Sequence, residues 1–147
     1  MTQPSLFGEI GGGSAIANID GGSRGNPGPA GYGVRIEQPD GTITELKEFL
    51  GSCTNNVAEY SGLLAALRWA AEHGIAALRI RSDSELLVKQ MQGEYRVKNP
   101  GLLPLYEDAR GLMRRIGKVT FEHVRREFNK DADRLANEAM DEAEAST

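Results

Sequence analysis

The chain contains 147 residues, a length typical of one compact domain. Hydrophobic residues make up 39% and charged residues 26%, which predicts a globular core and excludes a disordered or fibrous chain. The net charge of −4 argues against a protein that coats DNA by charge alone. The single cysteine, Cys53, cannot form an internal disulfide, and residues 1–13 lack a signal-peptide pattern. We therefore expect a cytoplasmic protein.

The first part of the chain predicts a tail and three antiparallel strands. Residues 1–13 end in three glycines and are expected to form a flexible N-terminal tail, with the folded domain spanning residues 14–147. Strands are predicted at Ala15–Asp20, Tyr32–Gln38 and Thr42–Leu50, the last two joined by a Pro-Asp-Gly hairpin turn. The intervening Gly21–Gly31 is rich in glycine and proline and is expected to be a turn-rich connection.

The hydrophobic period then changes from two to nearly four residues, which indicates helices. The predicted elements are a helix at Asn56–His73, a strand at Ala76–Arg81, a helix at Ser84–Gln92, a polar loop at Gly93–Pro100, a helix at Leu102–Ile116, a strand at Lys118–Val124 and a helix at Asp131–Glu144. The order βββαβααβα predicts an α/β fold, a five-stranded mixed sheet flanked by helices.

Four carboxylates stand at the ends of predicted strands or near the starts of predicted helices: Asp20, Glu59, Asp83 and Asp133. If the first and fourth strands are parallel neighbours, Asp20 and Asp83 lie side by side at their carboxyl ends. Clustered carboxylates suit two Mg²⁺ ions about 4 Å apart, which assist phosphoryl chemistry.

Each carboxylate also has a purely structural interpretation. Asn56 and Glu59 have the spacing of a capping box. Asp83 could cap the next helix, Asp133 could complement a helix dipole, and Asp20 could form a turn. The residues that flank all four favour the functional interpretation.

Those flanking residues resemble the motifs of type 1 ribonuclease H. The resemblance comprises residues 19–33 (IDGGSRGNPGPAGYG), 54–60 (TNNVAEY), 82–84 (SDS) and 129–136 (NKDADRLA), in the order of that family. A dinucleotide-binding glycine loop is excluded because Pro27 and Pro29 lead into a strand and not into a helix.

The resemblance implies a ribonuclease H-like fold and cleavage of the RNA strand of RNA–DNA hybrids, leaving 5′-phosphate and 3′-hydroxyl ends. It implies that the four carboxylates bind two Mg²⁺ or Mn²⁺ ions. It also implies a set of substrate contacts. These are Ser23, Arg24, Asn26 and Asn56 for the RNA strand, Thr54 and Asn55 for a DNA-strand phosphate, and Glu85 in the groove.

The sequence departs from many family members before its last carboxylate. Those members place a histidine in that loop, whereas here His123 falls within a predicted strand. Arg126 is the better candidate for the catalytic role of the loop, because a mobile guanidinium can hold a departing phosphate, and Glu127 is a weaker one. This form resembles a subgroup without the loop histidine. The basic protrusion of other members is also absent, since only Arg96 and Lys98 lie in the corresponding loop.

The N-terminal tail contains a second resemblance. Residues 3–7 (QPSLF) resemble the peptide by which bacterial replication and repair proteins bind the sliding clamp, with Gln3, Leu6 and Phe7 as anchors. A plain disordered tail is the alternative.

The sequence thus predicts a monomeric ribonuclease H that removes RNA from hybrids during DNA replication and repair, without membrane association. Two alternatives are a hybrid-binding module that does not cleave and a nuclease of the same fold that acts on DNA or double-stranded RNA. The four carboxylates argue against the first. The motifs tied to 2′-hydroxyl and DNA-strand recognition argue against a nuclease that cuts DNA, and they leave activity on double-stranded RNA open.

Overall fold

The computed structural model describes residues 13–146, which form a five-stranded mixed sheet with four α-helices. The elements are β1 (Ala15–Ser23), β2 (Gly28–Glu37), β3 (Ile43–Cys53), α1 (Asn55–Glu72), β4 (Ala77–Ser82), α2 (Glu85–Met91), α3 (Leu103–Ile116), β5 (Lys118–His123), a 3₁₀ turn (Arg126–Phe128) and α4 (Lys130–Ala145). The strand order is β3-β2-β1-β4-β5. None of the helices in this described part has the length and apolarity needed to span a membrane. The predicted clamp anchors Gln3, Leu6 and Phe7 lie outside the described residues.

The predicted turn-rich connection at Gly21–Gly31 is wrong in extent. Strand β1 continues to Ser23 and β2 begins at Gly28, because the two strands stay paired through Gly21–Tyr32 and Gly22–Gly31. Only residues 24–27 connect them. Asp20 consequently lies inside β1 and does not form a turn after it.

The predicted neighbourhood of β1 and β4 is confirmed. The two strands run parallel, and their ladder ends at the Ile19–Ser82 pair. The next residues along the two strands are Asp20 and Asp83, so both carboxylates leave the sheet at the same edge.

Helices α1 and α4 cover opposite faces of the sheet. A Cβ added to Gly33 would collide with the backbone carbonyl of Ala132 in α4, whereas Tyr32, the next residue of β2, faces Gly62 of α1. Successive strand residues point to opposite faces, so the two helices lie on different sides. The largest fully buried aliphatic side chains fill the layers between them, including Ile19, Val34, Ile36, Leu63, Leu67 and Ile80.

The N-caps of α1 and α2 contradict the purely structural interpretations of Glu59 and Asp83. Thr54 is the N-cap of α1, and its hydroxyl accepts a hydrogen bond from the N–H of Val57 at 3.2 Å. Glu59 therefore lies in the second turn, and the alternative interpretation of Asn56 and Glu59 as a capping box is wrong. Ser84, and not Asp83, caps α2.

Candidate active site

Three of the predicted carboxylates meet at the carboxyl edge of β1 and β4. Oxygen atoms of Asp20, Glu59 and Asp83 all lie within 4.8 Å of one another, although the residues come from three separate elements. They line an open cleft of about 490 Å³. Asp133, in the first turn of α4, lines the same cleft together with Arg126.

A glycine makes the approach of α1 to β1 possible. A Cβ on Gly21 would collide with the backbone of Ala58 and lie close to the backbone nitrogen of Glu59. The N–H of Gly21 also donates to Asp20 Oδ1 at 2.9 Å, which orients that carboxylate. Gly21 thus brings the Glu59 side chain into reach of Asp20.

Burial and mutual repulsion disfavour negative charge on these side chains. Burial raises the pKa of Asp20 to about 8, and the nearby Asp83 and Asp133 carboxyls add to this effect. Burial, supported by Asp83, likewise raises the pKa of Glu59 to about 7, although a hydrogen bond with Ser84 opposes it. The pKa of Asp83 is raised by burial and pulled back by the Arg126 guanidinium. Burial and repulsion thus act together against a fully charged cluster.

The chemistry of this donor set fits a hard divalent cation. Carboxylate oxygens are the ligands that Mg²⁺ prefers, and a cation would relieve the repulsion that raises the pKa values. Asp20, Glu59 and Asp83 would hold it. Asp133 lies near enough to Asp20 to help raise the pKa of that carboxyl, but it is outside the group of three.

Arg126 lies at the rim of the cleft. Its Nε is 3.8 Å from Asp83 Oδ2, and its side chain is 88% exposed, so the guanidinium is free to move toward a ligand. The two alternatives in the loop are placed differently. Glu127 pairs with Arg125 at 3.6 Å, and His123 ends β5 beside Ser82 of β4.

The turn between β1 and β2 is tied to the start of α1 by hydrogen bonds. The N–H of Ser23 donates to Asn55 Oδ1 at 2.8 Å, and the N–H of Asn55 donates to Asn26 Oδ1 at 3.1 Å. Ser23, Arg24, Asn55 and Asn56 line the cleft. The two motifs predicted to contact the two strands of a hybrid therefore form one surface.

Comparisons with known proteins agree with this geometry. A family described as reverse transcriptase-like matches residues 18–139. Ribonuclease HI of Halobacterium salinarum is 42% identical over 133 residues, covering 90% of this chain and 67% of the relative. The crystal structure of RNase H1 from the same species has a TM-score of 0.84 and covers 88% of this chain and 99% of that chain.

The chain belongs to the ribonuclease H family. The bifunctional protein Rv2228c of Mycobacterium tuberculosis is 47% identical over 133 residues, covering 89% of this chain but only 36% of that relative. Its N-terminal RNase H domain, solved as a fusion protein, has a TM-score of 0.86. LC11-RNase H1 in complex with an RNA/DNA hybrid is 43% identical, with a TM-score of 0.83 and 88% of this chain covered.

Three side chains that are predicted to contact the substrate make contacts with other residues of this ribonuclease H fold. The Thr54 hydroxyl caps α1, and Glu85 pairs with Lys89 at 3.2 Å. The Arg24 guanidinium lies 2.8 Å from Asp141 and 3.0 Å from Glu144 in α4. These contacts leave their roles in substrate binding as predictions.

Sequence reasoning missed the polar residues that support the carboxylates. Asn137 donates to the backbone oxygen of Asp133 at 3.0 Å and accepts from Arg24 at 3.1 Å. Its position one helical turn after Asp133 is a local signal that could have identified it. Asn18 and Asn129 form a buried pair that no short spacing in the sequence indicates.

Proposed function

We propose that this chain is a divalent-metal-dependent endoribonuclease that cleaves the RNA strand of RNA–DNA hybrids, leaving 5′-phosphate and 3′-hydroxyl ends. The observation that carries the proposal is the meeting of Asp20, Glu59 and Asp83 within 4.8 Å at the edge of the sheet. The family, the solved relative bound to a hybrid and the open shape of the cleft support it.

The carboxylates of the cleft bind and orient the cations of the reaction. Asp20, Glu59 and Asp83 would hold a cation with oxygens that lie within 4.8 Å of one another, and Asp133, which lines the same cleft, would contribute from α4. When bound, two Mg²⁺ or Mn²⁺ ions supply Lewis acidity to the attacking water and to the leaving 3′ oxygen. The half-buried Asp20 and Glu59 have pKa values raised to about 8 and about 7, so a bound cation would favour the charged form of both carboxylates.

Arg126 acts on the phosphate. Its exposed guanidinium can leave Asp83 and donate to two phosphate oxygens, which favours departure of the product. Glu127 and His123 are the alternatives for this role.

Recognition of the RNA strand depends on the surface formed by the β1–β2 turn and the start of α1. Ser23, Arg24, Asn26 and Asn56 contact the RNA strand and its 2′-hydroxyls. Thr54 and Asn55 contact a DNA-strand phosphate, and Glu85 contacts the groove. The hydrogen bonds of Asn55 with Ser23 and Asn26 support this assignment because they hold both strands' contacts in one rigid unit.

The cellular setting is proposed as well. The protein acts as a cytoplasmic monomer in DNA replication and repair, and residues 3–7 bind the sliding clamp. A Met1–Gly13 peptide should bind purified bacterial clamp, and a peptide with Leu6 and Phe7 replaced by alanine should not. Equal binding of both peptides, or binding of neither, would contradict the clamp proposal.

The test of the activity compares the protein with an Asp83→Asn variant. Labelled RNA–DNA hybrid, single-stranded RNA and double-stranded RNA are incubated with Mg²⁺ or Mn²⁺, and circular dichroism checks that the variant is folded. We expect metal-dependent cuts in the RNA strand of the hybrid that disappear in the variant. Binding of an intact hybrid in both metals would instead indicate a module that does not cleave.

A further inference from the structure

Two buried asparagines join the middle of β1 to the turn before α4. Asn18 and Asn129 are 9% and 1% exposed. Asn18 Nδ2 donates to Asn129 Oδ1 at 3.0 Å, and Asn129 Nδ2 donates to the backbone oxygen of Ile19 at 2.8 Å. We call the side chains of Asn18 and Asn129, together with the backbone oxygen of Ile19, the amide latch. Because the latch is buried, solvent does not replace these hydrogen bonds when one partner is lost.

The latch uses an asparagine that could stabilise its own helix. Asn129 occupies the N-cap position of α4, where an asparagine side chain usually accepts a hydrogen bond from the first turn. Its side chain makes no such bond and is directed across to β1, toward a residue 111 positions earlier in the sequence. Local helix stability is therefore given up for a long-range contact, a departure from local rules that often marks a functional site.

The backbone of Asn129 connects the latch to two side chains of the cleft. Its N–H donates to the backbone oxygen of Arg126 at 2.9 Å, and its own backbone oxygen accepts from the N–H of Asp133 at 3.1 Å. On the other side of the latch, Ile19 directly precedes Asp20. The latch also lies beside the last pair of the β1–β4 ladder, Ile19–Ser82.

We propose that Asn18 and Asn129 are positioning residues, which set the place of Asp133 and Arg126 relative to Asp20 without touching the substrate. The inference rests on the proposed function, since that function assigns those three side chains to the reaction. Loss of the latch lets the start of α4 move away from β1, and Asp133 then moves away from Asp20.

Asn129→Ser separates positioning from simple stability. Serine can cap α4 but is too short to reach both Ile19 and Asn18, so the variant keeps or improves the helix start while it loses the latch. Asn18→Ala removes the side chain that donates to Asn129 in the latch. Leu78→Ala is the control, because Leu78 is buried at the far end of β4, away from the cleft. Each full-length protein is measured for melting temperature, for Mn²⁺ binding by calorimetry without nucleic acid, and for kcat and KM on a hybrid.

We expect Asn129→Ser to bind Mn²⁺ about tenfold more weakly and to lose at least about tenfold in kcat, as typical residues that orient metal ligands do. KM should stay within about twofold, because the substrate surface is intact. Leu78→Ala should lower the melting temperature at least as much and keep both properties. The proposal is overturned if Asn129→Ser binds Mn²⁺ and turns over like the original protein, or if Leu78→Ala loses as much. A failure of the original protein to cleave hybrid would contradict the proposed function alone, since the Mn²⁺ titrations still decide the role of the latch.

Discussion

Replacing Asp20 by asparagine should stabilise the metal-free protein at alkaline pH. Burial and the neighbouring carboxyls raise the pKa of Asp20 from 3.8 to about 8. A shift of about four units corresponds to roughly 5–6 kcal/mol as an upper limit. Relaxation and water entry into the open cleft reduce this penalty, so we expect a gain of about 1–3 kcal/mol for Asp20→Asn at pH 8. The asparagine Oδ1 can still accept the hydrogen bond from Gly21.

The stabilisation produced by Asp20→Asn should increase as the pH rises. Near pH 3 Asp20 is protonated in both the folded and the unfolded chain, so the substitution removes no charge and the gain should vanish. Between about pH 4 and about pH 8 the unfolded chain loses this proton while the folded chain retains it. The folded state of the original protein therefore loses stability as pH rises through this window, and the variant does not share that loss.

Thermal unfolding in EDTA at several pH values is the assay. A gain of this size corresponds to a rise in melting temperature of roughly 3–10 °C for a domain of this length. Asp40→Asn is the control, because the N–H of Thr42 lowers the pKa of that exposed carboxyl, and its replacement should not stabilise the protein. Added Mg²⁺ should stabilise the original protein more than Asp20→Asn. A variant that is less stable at pH 8, or a gain that is equal at pH 4 and pH 8, would refute the reasoning.

Three further predictions concern the cleft and its supports. Arg126→Ala should lower kcat on a hybrid about tenfold, while its melting temperature should change little because exposed ion pairs contribute about 1 kcal/mol or less; unchanged kcat would contradict its role. Gly21→Ala should cost more than about 3 kcal/mol in urea unfolding, because the new Cβ collides with the backbone of Ala58. The matched Gly22→Ala, whose Cβ would meet only a side-chain oxygen at 3.9 Å, should cost about 1 kcal/mol or less, and equal losses would contradict this packing. Thr54→Ala should cost about 1 kcal/mol in the same assay through loss of the N-cap, and Thr54→Ser should restore most of it.

The local pattern of the chain was sufficient to predict the order of the elements. Strand alternation and helical periodicity depend on neighbours in sequence, so the helix ends agree with the structure to within one or two residues. The strand at Ala15–Asp20 was too short because glycines usually end strands, whereas Gly21 and Gly22 here stay paired with β2. Tertiary pairing overrode the local preference.

The candidate site was likewise predictable from the sequence only in part. Family motifs predicted Asp20, Glu59, Asp83 and Asp133 as the metal-binding carboxylates. The parallel β1–β4 arrangement was sufficient to place Asp20 and Asp83 together. Motifs carry no information about depth of burial, so the raised pKa values could not be anticipated. They also did not indicate that Asp133 lies outside the closest group of three.

The sequence by itself predicted which residues carry the chemistry and determined the order of the elements around them. The tertiary structure decided how those residues are held. Asn129 occupies the N-cap position of α4 in the structure, yet its side chain binds Asn18 and Ile19 because folding brings β1 and the start of α4 together. Contacts between residues more than a hundred positions apart depend on packing of the whole sheet, and no short spacing encodes them.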